Sequence, residues 1–202
     1  MDLATHQPAL LAALRDFFLA RRGEDLERAY AALARHDPGA PPQDDWLAEE
    51  YAFNRLFVGP GELQAPPFAS VWLDREERCM GRATDDAREV YAALGLASPW
   101  GRAVPDDHLS LELDACLHML AGLETLEPGP EREALEALWH RFVDGHLRAW
   151  LPAFAQRVRE AAPEAPAVGH AAGALRTWLE RAGHRPAPGG EVHTTKEGGC
   201  HE

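Results

Sequence analysis

The chain has 202 residues, 46% of them hydrophobic, and a formal net charge of −13. That apolar content supports a buried core in one domain or two tightly packed halves, and excludes disorder over most of the length. The negative balance excludes a nucleic-acid backbone as main partner, since such binding runs on clustered Lys and Arg. It suits a cationic partner, or a surface that only keeps the chain dissolved.

Leu10, Leu14, Phe17 and Phe18 recur at the spacing of one helical face. A second helix begins near Asp25 and ends at Pro38, Pro41 and Pro42. The third, about Asp44 to Val58, carries Trp46, Phe53 and Phe57 on one stripe, and Gly59-Pro60 stops it. Ser70 is the predicted N-cap of the next helix, with Asp74, Glu76 and Glu77 near its positive end. Another helix spans about Asp85 to Leu94, closed by Gly95. Leu109, Leu113, Cys116, Leu117 and Leu120 then share a face. Leu135, Leu138, Trp139, Phe142 and Leu147 do so between Glu131 and about Trp150, and Pro152 is predicted to open a further helix. The last helix, about Ala167 to Ala182, buries Leu175, Trp178 and Leu179. No alternating strand and no fixed-period repeat is present, so the predicted fold is all-α, one bundle of about nine to ten helices over residues 1–182.

After Gly183 the chain turns to Pro and Gly with no apolar face, and residues 183–202 are expected to be a disordered tail. His193, Cys200 and His201 within it match no established zinc spacing. Cys79, Cys116 and Cys200 are too few and scattered for a disulfide framework or a CxxC metal site. Arg15 and Asp16 interrupt the apolar run that a secretory signal peptide needs. No stretch approaches the roughly 18 apolar residues of a membrane span. The chain therefore reads as cytoplasmic, without stable membrane insertion.

Chemical motifs are sparse. Neither GxGxxG nor GxxxxGK[ST] occurs, nor a GxSxG elbow, and no cysteine carries a catalytic signature. Glu136 and His140 have the wrong spacing for a di-iron Glu-x-x-His, and a surface contact one turn apart explains them better. No cofactor, no metal and no catalysis is expected.

Four runs stand out in order along the chain. They are Leu56-Phe57-Val58-Gly59-Pro60; Pro66-Pro67-Phe68-Ala69-Ser70-Val71-Trp72-Leu73-Asp74; Pro105-Asp106-Asp107-His108; and Phe142-Val143-Asp144-Gly145-His146-Leu147-Arg148-Ala149-Trp150, with Pro152 and Phe154 following. Together they resemble the TorD/DmsD/NarJ family of redox-enzyme maturation chaperones, in its TorD and DmsD branches. The resemblance implies an all-helical cytoplasmic chaperone that binds the apo form of a molybdopterin oxidoreductase through its twin-arginine leader. Export would then wait for cofactor insertion. It further implies a leader-binding surface at Phe53, Leu56, Phe57, Gly59, Pro60, Phe68, Trp72, Pro105, Asp107 and His108. The alternative is a NarJ-like assembly adaptor for a subunit that is not exported. A monomer and a domain-exchanged dimer are both compatible with the sequence.

Such a leader offers two guanidinium groups and an apolar stretch. Phe53, Leu56, Phe57, Phe68 and Trp72 suit the apolar part, and Asp106 or Asp107 the arginines. Each has a structural alternative. Phe53, Phe57 and Trp72 fit core packing as well, and Asp106 or Asp107 fits an N-cap of the following helix. His108 fits a hydrogen bond to the loop backbone, Glu112 a place on the helix surface, and His146 a packed helix histidine.

Overall fold

The computed structural model describes residues 7–74, 81–97 and 104–182. Eight helices and no strand lie among them, and a single antiparallel bridge joins Phe68 to His108. The all-α expectation holds with slightly fewer helices than anticipated. The 183–202 tail, with His193, Cys200 and His201, lies outside the described residues, as do Glu76, Glu77 and Cys79.

Helix α1 (Pro8–Phe18) buries Leu10, Leu11, Leu14, Phe17 and Phe18 and packs against α2 (Gly23–Ala34), α6 (Leu109–Thr125) and α8 (Pro166–Ala182). Helix α3 starts at Trp46 because the Asp45 carboxylate accepts the Ala48 N–H at 3.0 Å. It runs to Phe53 and passes without a break into a π-helical turn, Asn54–Val58. Gly59 ends it with φ of 100°, a conformation that side chains avoid, and the Gly59–Pro60 peptide is cis. A short helix, α4 (Ala69–Leu73), and a longer one, α5 (Arg82–Ala93), follow. Gly95, at φ 68°, closes α5 in a Schellman motif: Gly95 N–H donates to Ala92, and Leu96 N–H to Tyr91.

Helix α7 is continuous through Pro130–His140, a π-helical segment Arg141–Leu147, and Arg148–Ala161. The sequence predicts two helices here, the second opened by Pro152. Instead Pro152 sits inside α7. The N–H that proline lacks is withheld only from Arg148, where π geometry gives way to α, so the interruption falls at a turn already irregular. Helices α6 and α7 cross closely at Gly122, where a Cβ would come within 2.8 Å of the Leu135 side chain.

Trp139, Trp150, Trp178, Phe17, Phe142 and Phe154 are the bulkiest fully buried side chains. Each fully buried large side chain contributes about 1.5–3 kcal/mol of transfer free energy. Phe18, Phe57, Phe154 and Trp72 form a run of ring contacts 5.7 to 6.1 Å apart, linking α1, α3, α7 and α4. The π-turn of α3 and the whole of α4 are thereby tied to the core. No helix among the described residues is long and apolar enough to cross a membrane.

Candidate functional site

The loop after Gly59 folds back on the helix it leaves. Ala65 N–H donates to the Leu56 carbonyl at 3.1 Å, satisfying an acceptor that the π-turn leaves open, and Arg157 Nε donates to Gln64 O at 2.9 Å. The Trp72 indole N–H then returns to the Pro66 carbonyl at 2.8 Å, fixing the ring across the proline turn.

The second and third motif runs close on each other. Ala69 N–H donates to Asp107 O at 3.0 Å, and Leu109 N–H donates to Pro67 O at 2.9 Å. The Asp107 carboxylate accepts the Ser70 N–H at 2.7 Å. Asp107 therefore caps α4, thirty-seven residues away, rather than the helix that follows it. Ser70 is not an N-cap: that position belongs to Phe68, and Ser70 lies within the first turn. Asp74 is likewise not near the start of α4 but at its C-cap, where its carboxylate reaches the Ala83 N–H of α5 at 3.4 Å.

His108 is the N-cap of α6, its Nδ1 accepting from Ser110 N–H at 3.2 Å. Burial pushes its pKa down to about 4, against the pull of Asp107, so the ring is neutral and able to accept. Its ring and that of Phe68 meet in a T-shaped contact, with centroids 5.3 Å apart. Asp106 is engaged from α5: Arg88 Nε donates to its carboxylate at 2.6 Å, and the Tyr91 hydroxyl to its carbonyl at 2.6 Å.

These bonds sort the eleven predicted site residues. Phe53, Leu56, Phe57 and Asp107 are buried, at 2%, 0%, 5% and 0% exposure, so they cannot touch a partner in this conformation. Gly59, Phe68, Trp72, Pro105, Asp106 and His108 are half-buried, and Pro60 is exposed. The expectation of one accessible apolar cleft lined by all of them is corrected. Phe53, Leu56 and Phe57 form the inner side of α3, Asp107 lies against the start of α4, and a half-buried band of Phe68, Trp72, Pro105 and His108 remains at the surface.

Glu112 is also corrected: it is fully buried, and its carboxylate meets His146 Nε2 at 2.6 Å. Burial raises the Glu112 pKa despite His146. Burial opposes charge on His146, but Glu112, with Asp86 and Asp107 adding to it, outweighs this and the net shift is upward. Glu136 pairs with Arg132 at 3.2 Å and His140 with Asp144 at 3.1 Å, both at the spacing of one turn. Sequence reasoning missed Leu47, Tyr51 and Val58 on α3, the large apolar side chains left exposed among the described residues. Their spacing along one helix was the available signal.

The described residues thus form an all-helical bundle whose two motif loops clasp each other. The family described as nitrate reductase delta subunit matches residues 4–156, and the chain belongs to that family. It is similar to the chaperone protein TorD of Vibrio cholerae serotype O1, 30% identical over 115 residues, covering 57% of this chain and 52% of that one. It is similar also to the Tat proofreading chaperone DmsD of Salmonella typhi, 32% identical over 151 residues, covering 73% of this chain and 64% of that one. The matches thus span between half and two thirds of these relatives' lengths. A crystal structure described as a redox enzyme maturation protein from Archaeoglobus fulgidus shares the fold, with a TM-score of 0.56 and 23% identity over 87% of this chain and 93% of that one.

Proposed function

We propose that this chain is a cytoplasmic chaperone that binds the apo form of a molybdopterin oxidoreductase through its twin-arginine leader, with no catalysis of its own. Family membership carries the proposal, together with the likeness to the TorD and DmsD chaperones. The half-exposed band of Phe68, Trp72, Pro105 and His108 supports it physically, because rings held by backbone hydrogen bonds lose little freedom when a partner arrives. Phe53, Leu56, Phe57 and Asp107 act from below, holding that band in place. Pro60 and the exposed Leu47, Tyr51 and Val58 of α3 offer further apolar surface to the leader's hydrophobic stretch.

Titration of the full chain with a synthetic twin-arginine leader peptide of a molybdopterin oxidoreductase, and with a scrambled copy, tests this reading. Saturable binding of the leader alone is expected. Equal, weak binding of both peptides overturns it. The family description favours a second reading, an assembly adaptor for a subunit that is not exported. In that case the client terminus lacks paired arginines and still binds.

A further inference from the structure

A cavity of about 360 Å³ opens between α5 and the π-helical segment of α7, beside the end of α4. It lies towards the small end of ligand pockets, roughly 300–1,000 Å³, and suits side chains rather than a nucleotide. The π geometry makes it. Phe142 and His146 stack ring on ring, 5.1 Å apart and 9° from parallel, while Gly145 on the adjoining turn has no side chain to fill the space. Such turns recur at functional sites because they re-aim side chains at a cost to the helix.

The cavity has an apolar body and an acidic lip. Leu73 and Val90 face Phe142 across it, and Asp86 and Glu89 come from the exposed face of α5. No described residue forms an ion pair with Asp86 or Glu89, whereas their neighbours Asp85 and Asp106 are both taken by Arg88. Arg141 is the one cation among the described lining residues. His146 is 8% exposed; Glu112 holds its Nε2 from behind, and no described residue bonds its Nδ1. Among the lining side chains, Asp86 and Glu89 stand against Arg141, so the acidic lip keeps one negative charge in excess.

We propose that this cavity seats an arginine side chain of the leader's arginine pair, with the guanidinium on Asp86 and Glu89 and the stem against Leu73, Val90 and Phe142. The proposal rests on the chaperone reading above and assigns the charged half of the leader to a place distinct from the aromatic band. Leu73 follows Trp72 directly on α4, so one extended peptide can run from the band into the cavity. Guanidinium groups form paired, charge-assisted bonds with carboxylates, which an ammonium group does not reproduce. Arg141, on the opposite wall, is left to donate to the peptide's carbonyls.

The test uses the full chain and three synthetic leader peptides, identical except for Arg-Arg, Lys-Lys or Gln-Gln at the paired position. The native chain is expected to prefer Arg-Arg. The double variant Asp86→Asn/Glu89→Gln is expected to lose about tenfold or more in affinity for Arg-Arg, while binding Gln-Gln as before. Gly145→Leu, which fills the cavity from an exposed position, is expected to have the same effect. Glu131→Gln/Glu133→Gln removes equal charge at the start of α7 and is expected to change little. Unaltered Arg-Arg binding by the Asp86/Glu89 variant overturns the cavity assignment and leaves the chaperone reading standing. Equal losses from the Glu131/Glu133 control also overturn it, in favour of a diffuse field. Failure of the native chain to bind any of the three peptides overturns both.

Discussion

Glu49 and Asp107 are both fully buried carboxylates, and each caps a helix other than its own. Glu49 leaves α3 to meet the start of α8, where Ala167 N–H and Val168 N–H donate to its two oxygens at 2.9 and 3.1 Å and Gln43 adds a side-chain bond. Asp107 meets α4 with one oxygen only. Its Oδ1 is buried and receives no hydrogen bond from any described residue. A fully bonded carboxylate is what scaffold requires; a half-bonded one is tolerated where something besides stability is selected. The difference separates the frame of the bundle from the clasp between its motif loops.

The largest expected effect tests the frame. Glu49→Ala strands two helix-start N–H groups and is expected to cost about 3 kcal/mol in denaturant unfolding. A loss below about 1 kcal/mol would remove the distinction. Asp107→Ala is expected to cost about 2 kcal/mol, and Asp107→Asn about half that, because the amide oxygen still accepts from Ser70 N–H while its NH2 replaces the unbonded oxygen. Asp107 is therefore a poor choice for a variant meant to impair recognition alone. Gly59→Ala forces a side chain into the conformation at φ 100° and is expected to cost about 1–2 kcal/mol.

Falling pH probes the clasp, and rising pH probes the buried pair between α6 and α7. His108 has a folded pKa of about 4, below its ordinary 6.5, so its stabilising contribution is present above pH 6.5 and lost as pH falls through 4. His108→Asn keeps the cap without the titration. Melting curves between pH 6.5 and 4 are expected to show it losing about 2 kcal/mol less than the native chain. Glu112 and His146 are both shifted upward. Their contribution is present at low pH and lost as pH rises through the raised folded values, and Glu112→Gln is expected to flatten that limb. The smallest effect belongs to the surface. Arg55 pairs with Glu164, both largely exposed, and Glu164→Ala is expected to move the melting temperature by under about 2 °C.

Helix existence was largely legible, because Leu10 to Phe18, Leu109 to Leu120 and Leu175 to Leu179 follow one period without interruption. Stops were legible where a backbone requirement shows as a residue type, at Gly59 and Gly95. The π-turns at 54–58 and 141–147 were not, since an extra residue per turn shifts the apolar stripe no more than an ordinary irregularity does. The same cause hid the continuity of α7 through Pro152. The four motif runs were visible, yet periodicity cannot tell a ring facing a groove from one facing the core, and Phe53 and Phe57 proved to be core. Asp107 looked like a local cap because its true partner, Ser70, is distant in sequence. Leu47, Tyr51 and Val58 were passed over because apolar residues on a helix are ordinarily credited to its inner side.

The clasp makes α4 a dependent element. Five residues are too few to hold a helix unaided, and the amides of Ala69 and Ser70 find their acceptors in Asp107. Deuterium uptake at those two amides therefore reports how often residues 105–108 let go. Slower uptake after a client peptide is added, with α1 unchanged, marks a chaperone that tightens on its cargo; faster uptake marks one that opens to admit it.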